Sequence, residues 1–194
     1  MTPKKFQQDL QIYLKKIPPT GNRIFWVSFE SDPKLKKTKE DIYGRCLPCI
    51  QNLYYQLKEG HRKIALGRAF NCWKIVGVVE NVEDALTLLS EFEKRRPVEH
   101  IYGKLGNGKP EVNTIAVVFH VNDIKRRDLI KNTLELCARE MRIIKDIQLS
   151  RGCAVLYEEL FGNWREWSAV SEIKYPENID RILKRIEKVL YWAN

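Results

Sequence analysis

The hydrophobic positions of this chain follow two patterns, stripes at helical spacing and short near-continuous runs. Phe6, Leu10, Tyr13, Leu14 and Ile17 recur at helical spacing and predict a helix over residues 1–20, stopped by Pro18-Pro19-Thr20-Gly21. Residues 24–29 are almost all apolar, as in a strand covered on both faces. After a Lys-rich loop, Thr38-Lys-Glu-Asp reads as an N-cap followed by an acid, and a helix to about residue 59 carries Ile42, Tyr43, Cys46, Ile50, Leu53, Tyr54 and Leu57 on one side. Pro48 either kinks that helix or stands in the first turn of a second one. Residues 63–70 and 73–79 read as strands joined by a tight turn at Asn71-Cys72. Asn81 caps a helix over 82–96, with Val82, Leu86, Leu89 and Phe92 inward. A strand over 100–105, a turn at Gly106-Asn-Gly-Lys-Pro110 and an apolar strand over 114–121 follow. Asn122 then caps a helix over 123–141, with Ile130, Leu134, Cys137 and Met141 inward. Residues 143–149 and 153–157 read as a second hairpin around Ser150-Arg151-Gly152. Pro176 opens a last helix over 177–192, striped by Ile179, Ile182, Leu183, Ile186, Val189 and Leu190.

From residue 23 to 105 the order is strand, helix, strand, strand, helix, strand, which is the order of a ferredoxin-like sandwich. The second half starts the same way, without a residue-level repeat. The expected fold is therefore α+β, a ferredoxin-like antiparallel sheet with helices on one face, either one unit or two fused. The expected division is an N-terminal helix or arm over 1–22, a βαββαβ unit over 23–112, and a second α+β unit over 113–194 ending in a helix.

Composition narrows the function classes. With 44% hydrophobic and 30% charged residues, the 194-residue chain is expected to fold without staples. The start lacks an apolar run of signal-peptide type, and the longest apolar stretches are too short to cross a bilayer. A soluble, cytoplasmic protein without a membrane partner is expected. Five scattered Cys argue against a disulfide framework. Abundant Lys, Glu and Ile with few Gln and Met resemble the balance of heat-stable proteins.

The net charge is +9, and it is uneven: residues 1–80 hold 15 Lys/Arg against 7 Asp/Glu, while the remainder holds 19 against 18. Such a field favours an anionic partner, RNA foremost. The candidate phosphate contacts are Lys34, Lys36, Lys37, Lys39, Arg62, Lys63 and Arg68, with Tyr55 and Trp73 as stacking aromatics. The aromatic strand signature of RNA-recognition motifs is absent from residues 63–70.

Cys46-Leu-Pro-Cys49 is the sharpest motif. A thiolate at a helix start is stabilised, and a second Cys three residues on can resolve a mixed disulfide. With the apolar strand before it and the amphipathic helix after it, the segment resembles the Cys-x-Pro-Cys corner of thioredoxin-fold oxidoreductases over about residues 23–60. That resemblance implies Cys46 as nucleophile and Cys49 as resolving thiol. The chain departs from the family in the sixteen residues, 30–45, between strand and motif, and in lacking a Pro immediately before a later strand. The competing reading makes both Cys small apolar residues of a buried helix face. Zinc would need two further ligands, and His61, Cys72, His100, His120, Cys137 and Cys153 are widely spaced, so no metal and no cofactor is expected. His120, inside Phe119-His120-Val121, reads as a core or interface histidine.

Gly106-Asn-Gly-Lys-Pro110 lacks the spacing of a phosphate loop, and Ser150-Arg-Gly-Cys153 has no His to pair with. The two Trp of Phe161-Gly-Asn-Trp164-Arg-Glu-Trp167 read as a lid on the core, or second as a dimer contact. No motif fixes a reaction. The leading expectation is an RNA or polyanion binder. The alternatives are a thiol–disulfide oxidoreductase and a homodimeric module that binds a small effector, the last on fold analogy alone.

Overall fold

The computed structural model describes residues 13–16, 26–43, 46–96, 99–107, 113–152 and 154–191. Most of the expected leading helix, the end of the Gly106–Pro110 turn and Cys153 lie outside the described residues.

The chain is a mixed helical and antiparallel-sheet protein. Strand β1 (Tyr13–Lys16) pairs with β2 (Trp26–Glu30). A π-helical turn (Thr38–Tyr43), helix α1 (Leu47–Lys58), strand β3 (Lys63–Ala65) and a short helix α2 (Arg68–Asn71) follow. Next come β4 (Trp73–Val79), α3 (Val82–Arg95), β5 (Tyr102–Gly106), β6 (Ile115–Val121), α4 (Ile124–Met141) and β7 (Ile144–Arg151). Helix α5 (Ala154–Phe161), strand β8 (Val170–Glu172) and helix α6 (Ile179–Tyr191) complete the described chain, with single 3₁₀ turns at Trp164–Glu166 and Pro176–Asn178.

Six strands form one antiparallel sheet in the order β1-β2-β5-β6-β4-β7, and β3 with β8 makes a separate ribbon. Alternation decides the faces. On β4 and β6, residues Trp73, Ile75, Val79, Val117, Phe119 and Val121 turn to α3 and α4 and build one core with Leu88, Leu89, Phe92, Ile130 and Leu134. Phe29 and Phe119 meet edge to face at 5.3 Å. Gly103 between them is obligatory, since a Cβ there would lie 1.9 Å from the Val118 carbonyl oxygen and 2.6 Å from the Phe29 ring. A second core joins Leu53 and Leu57 of α1 to Ile64, Leu66, Tyr157, Leu160, Phe161, Trp167, Ile182 and Ile186. It draws on residues before β4 and after β7, so neither core follows a division at residue 112, and the sheet runs across it.

Several expectations are corrected. Residues 13–16 are strand, because they supply a ladder to the outer side of β2. Of the two alternatives at Pro48, the structure takes the second: Cys46 is left-handed (φ 55) between the π-helical turn and α1, and Pro48 stands in the first turn of a new helix. The first hairpin is absent: Gly67 turns the chain at φ 51, ψ −127 and residues 68–71 form the short helix α2, so β3 pairs with β8 rather than β4. The second is absent too, since residues 144–151 run as one strand against β4 and helix α5 follows. Trp167 is buried and Trp164 packs against both cores, the position of a lid.

Candidate functional site

If Trp73 and Ile75 face the helices, Lys74 must face the other side of the sheet. There it stands opposite His120 on β6 and Ser150 on β7, while Lys104 stands opposite Ser28 and Val118. Tyr102 stacks on the His120 ring at 6.1 Å. This face is not open: the π-helical turn packs over β2 and β5, and Ser28, Tyr102, Val118 and His120 are all buried. The turn is held by the buried Glu30 carboxylate, which accepts the amides of Lys37 (3.0 Å) and Thr38 (2.8 Å) and meets His100 Nε2 at 3.0 Å.

Cys46 enters this covered face from the N-terminal end of α1. Its carbonyl accepts the amides of Cys49 (2.9 Å) and Ile50 (3.2 Å), closing the first turn, where Pro48 has no N–H to leave unsatisfied. The Cys72 thiol lies within interaction range of the Cys46 side chain. That interaction with Cys46, then burial, then the negative charge available to Cys46 and Cys49 push the Cys72 thiol far above the usual thiol range, with Lys74 opposing. Room for the Cys72 sulfur depends on Gly152, where a Cβ would sit 2.2 Å from it. The Gly152 amide also donates to the Cys72 carbonyl at 2.7 Å.

The amines on this face are perturbed in the same sense. Burial, reinforced by the charge of Lys74, brings Lys104 down to about 8, with Cys46 opposing. The Lys104 ammonium lies over the Trp26 ring at 4.3 Å. Burial, with Lys74 and Lys104 beside it, brings His120 down to about 3, so its ring is neutral at physiological pH. Neither ring nitrogen of His120 has a hydrogen-bond partner among the described residues. The result is two neighbouring thiols beside two amines, one of them near its titration point, and a neutral imidazole.

Of the sequence candidates, Cys46 belongs to this constellation, and its neighbour across the fold is Cys72. Cys49 is buried in the second core, and Tyr157 donates to its carbonyl at 2.9 Å. Sequence reasoning missed Cys72, Lys74 and Lys104. The signal was there in part: each lysine interrupts an otherwise apolar strand at a position facing away from the helices.

The polyanion candidates divide. Lys37 pairs with Glu40, whose carboxyl is held below its ordinary range first by the Lys37 hydrogen bond (2.7 Å), with smaller contributions from the charges of Arg68 and Lys36. Lys34 and Lys39 are exposed on the same loop, Arg62 and Lys63 are exposed at β3, and Tyr55 is exposed on α1. Trp73 is a correction: it is 4% exposed, beneath the guanidinium groups of Arg127 and Arg151, and presents no face for a base to stack on. Among the described residues, one group of potential metal ligands lies mutually within 4.8 Å, Glu30, Asp32 and His100. A cation there would compete with the amides that Glu30 already accepts. No described helix is long and apolar enough to cross a membrane. Comparison with protein-family models, curated proteins and solved structures finds no match to this chain.

Proposed function

We propose that this is a thiol–disulfide redox protein whose working pair is Cys46 and Cys72. The observation that carries the reading is the approach of Cys46 to Cys72 on a face lined by Lys74, Lys104 and His120. Two ammonium groups and a helix N-terminus favour the thiolate form of Cys46, the half-buried member of the pair. In the reaction, the Cys46 thiolate attacks one sulfur of a partner's disulfide, forming a mixed disulfide and releasing the first partner thiolate. Once Cys46 is in the mixed disulfide, Cys72 loses its proton to water and attacks the Cys46 sulfur. A Cys46–Cys72 disulfide forms and the second partner thiolate leaves, so two electrons pass from the protein to its partner. The order β4-α3-β5-β6-α4-β7, with spatial order β5-β6-β4-β7, supports reading residues 73–151 as a ferredoxin-like unit beneath this site.

Alkylation of the native protein with iodoacetamide across pH tests the proposal. Cys46 should react first, with a midpoint below the free-Cys value of about 8.5. If every thiol reacts only after denaturation, the redox reading is lost.

A second reading, RNA binding through the basic N-terminal region, draws on the exposed cations Lys34, Lys36, Lys39, Arg62, Lys63 and Arg68. Its mark would be an affinity for single-stranded RNA that falls steeply with salt. Absence of binding at low salt would end it.

A further inference from the structure

On the helix side of the same sheet end, three arginines gather around two tryptophans. Arg151, at the end of β7, is 8% exposed. Its guanidinium lies over the rings of Phe70 (4.0 Å) and Trp73 (4.2 Å). Arg127, in the first turn of α4, lies over Trp73 at 4.4 Å. Trp73 meets Trp164 edge to face at 5.7 Å, and the exposed Arg165 lies over Trp164 at 4.8 Å. Arginine charge thus runs from the surface at Arg165, through half-buried Arg127, to a buried floor.

The floor is short of acceptors. Arg151 Nε and Nη1 and Trp73 Nε1 are buried without a hydrogen-bond partner among the described residues. All three are donors, so what completes them is an acceptor. Among the described residues, Arg127 bonds a carboxylate only through Nε, to the half-exposed Asp128 at 2.8 Å. Arg151 has no ion pair among the described residues, and the charge of Arg127 acts on it directly. Aromatic faces offset part of the cost of burying a guanidinium, but they supply no acceptor for its N–H groups.

We propose that Arg127, Arg151 and Trp73 form a binding site for a phosphate-type oxyanion, either free or as the terminal group of a phosphate ester. Arg127 and Arg151 flank the Trp73 ring with their guanidinium groups, and the orphan donors of Arg151 and Trp73 lie at this one end of the sheet, which suits a tetrahedral group with several acceptor oxygens better than a two-oxygen carboxylate. The site is independent of the thiol chemistry: it lies on the opposite face of the sheet and uses neither cysteine.

The test is an NMR titration of the full chain at constant ionic strength, following the Trp73 indole N–H and the Arg151 Nε–H. The indole signal is assigned by its loss in Trp73→Phe. Inorganic phosphate and methyl phosphate form two arms that separate a free ion from an ester, and chloride and acetate are controls. The prediction is a saturating shift of both signals by at least one phosphate arm, with a Kd of about 1 mM or tighter, weakened at least about tenfold by Arg127→Gln. Arg127 is half-buried and its replacement leaves the floor residues in place; circular dichroism confirms the fold of the variant. Linear, unsaturable shifts, or shifts matched by acetate or chloride, would overturn the proposal, and the wild-type titration alone suffices to show them.

Discussion

Lys104 reaches over the Trp26 ring on a face where Tyr102, Val118 and His120 are almost closed to solvent. An ammonium in such a place costs stability whenever it is charged. Its folded value of about 8 lies below the ordinary 10.5. Between those limits the unfolded chain holds more protons than the folded one, so stability rises with pH through that window, and the cost is fully present below pH 8. Lys104→Met should therefore raise the Tm near neutral pH and flatten the alkaline slope, by up to about 3 kcal/mol, while slowing Cys46 alkylation. His120 works on the acid side. Its folded value is depressed to about 3 from 6.5, so its contribution is present above 6.5 and is lost as pH falls toward 3. His120→Phe should flatten that acid limb in a pH series of thermal melts. Gly152→Ala would drive a methyl into the Cys72 sulfur and should cost about 1–3 kcal/mol while displacing the thiol, read by denaturation and by faster Cys72 alkylation.

At the scale of the element, caps and stripes separate what the sequence makes legible from what it hides. Asn81 does cap α3, accepting the Asp84 amide at 2.9 Å. Asp123, one residue beyond the expected Asn122, caps α4 by accepting the Arg126 amide at 2.8 Å. Asn81→Ala and Asp123→Ala should each cost about 1 kcal/mol in denaturant unfolding. The α3 stripe is rotated from expectation: Val82 is 48% exposed, and Ala85, Leu88, Leu89 and Phe92 are buried. Apolar periodicity gave the helix, but two adjacent leucine positions left its rotation open until β4 and β6 fixed the facing surface. Leu88→Ala should cost about 2–5 kcal/mol, whereas Val82→Ser should stay within about 0.5 kcal/mol. The two lost hairpins have a common cause. β-Propensity in residues 63–70 and 153–157 was overridden by tertiary contacts, which made Ala69, Tyr157, Leu160 and Phe161 parts of the second core.

Across the whole molecule, the segments 46–71 and 154–191 build one core, while Phe29 of β2 joins the strands and helices of 73–151 in another. The thiol face lies where Cys46, from the first, meets Cys72 at the entry to β4. Sequence spacing exposed the Cys46/Cys49 pair because it is local. It hid the Cys46/Cys72 pair, since 25 residues of helix, ribbon strand and short coil must fold before those sulfurs meet. The basic N-terminal balance was equally visible, but its sorting into the loop lysines around Glu40 and a part-buried Lys74 depended on which sheet face each residue took. The most direct measurement is disulfide mapping by peptide mass spectrometry after mild oxidation of the native protein. A Cys46–Cys72 linkage should form first and reverse with dithiol. A Cys46–Cys49 linkage in its place, or no linkage to Cys46 short of unfolding, would contradict it.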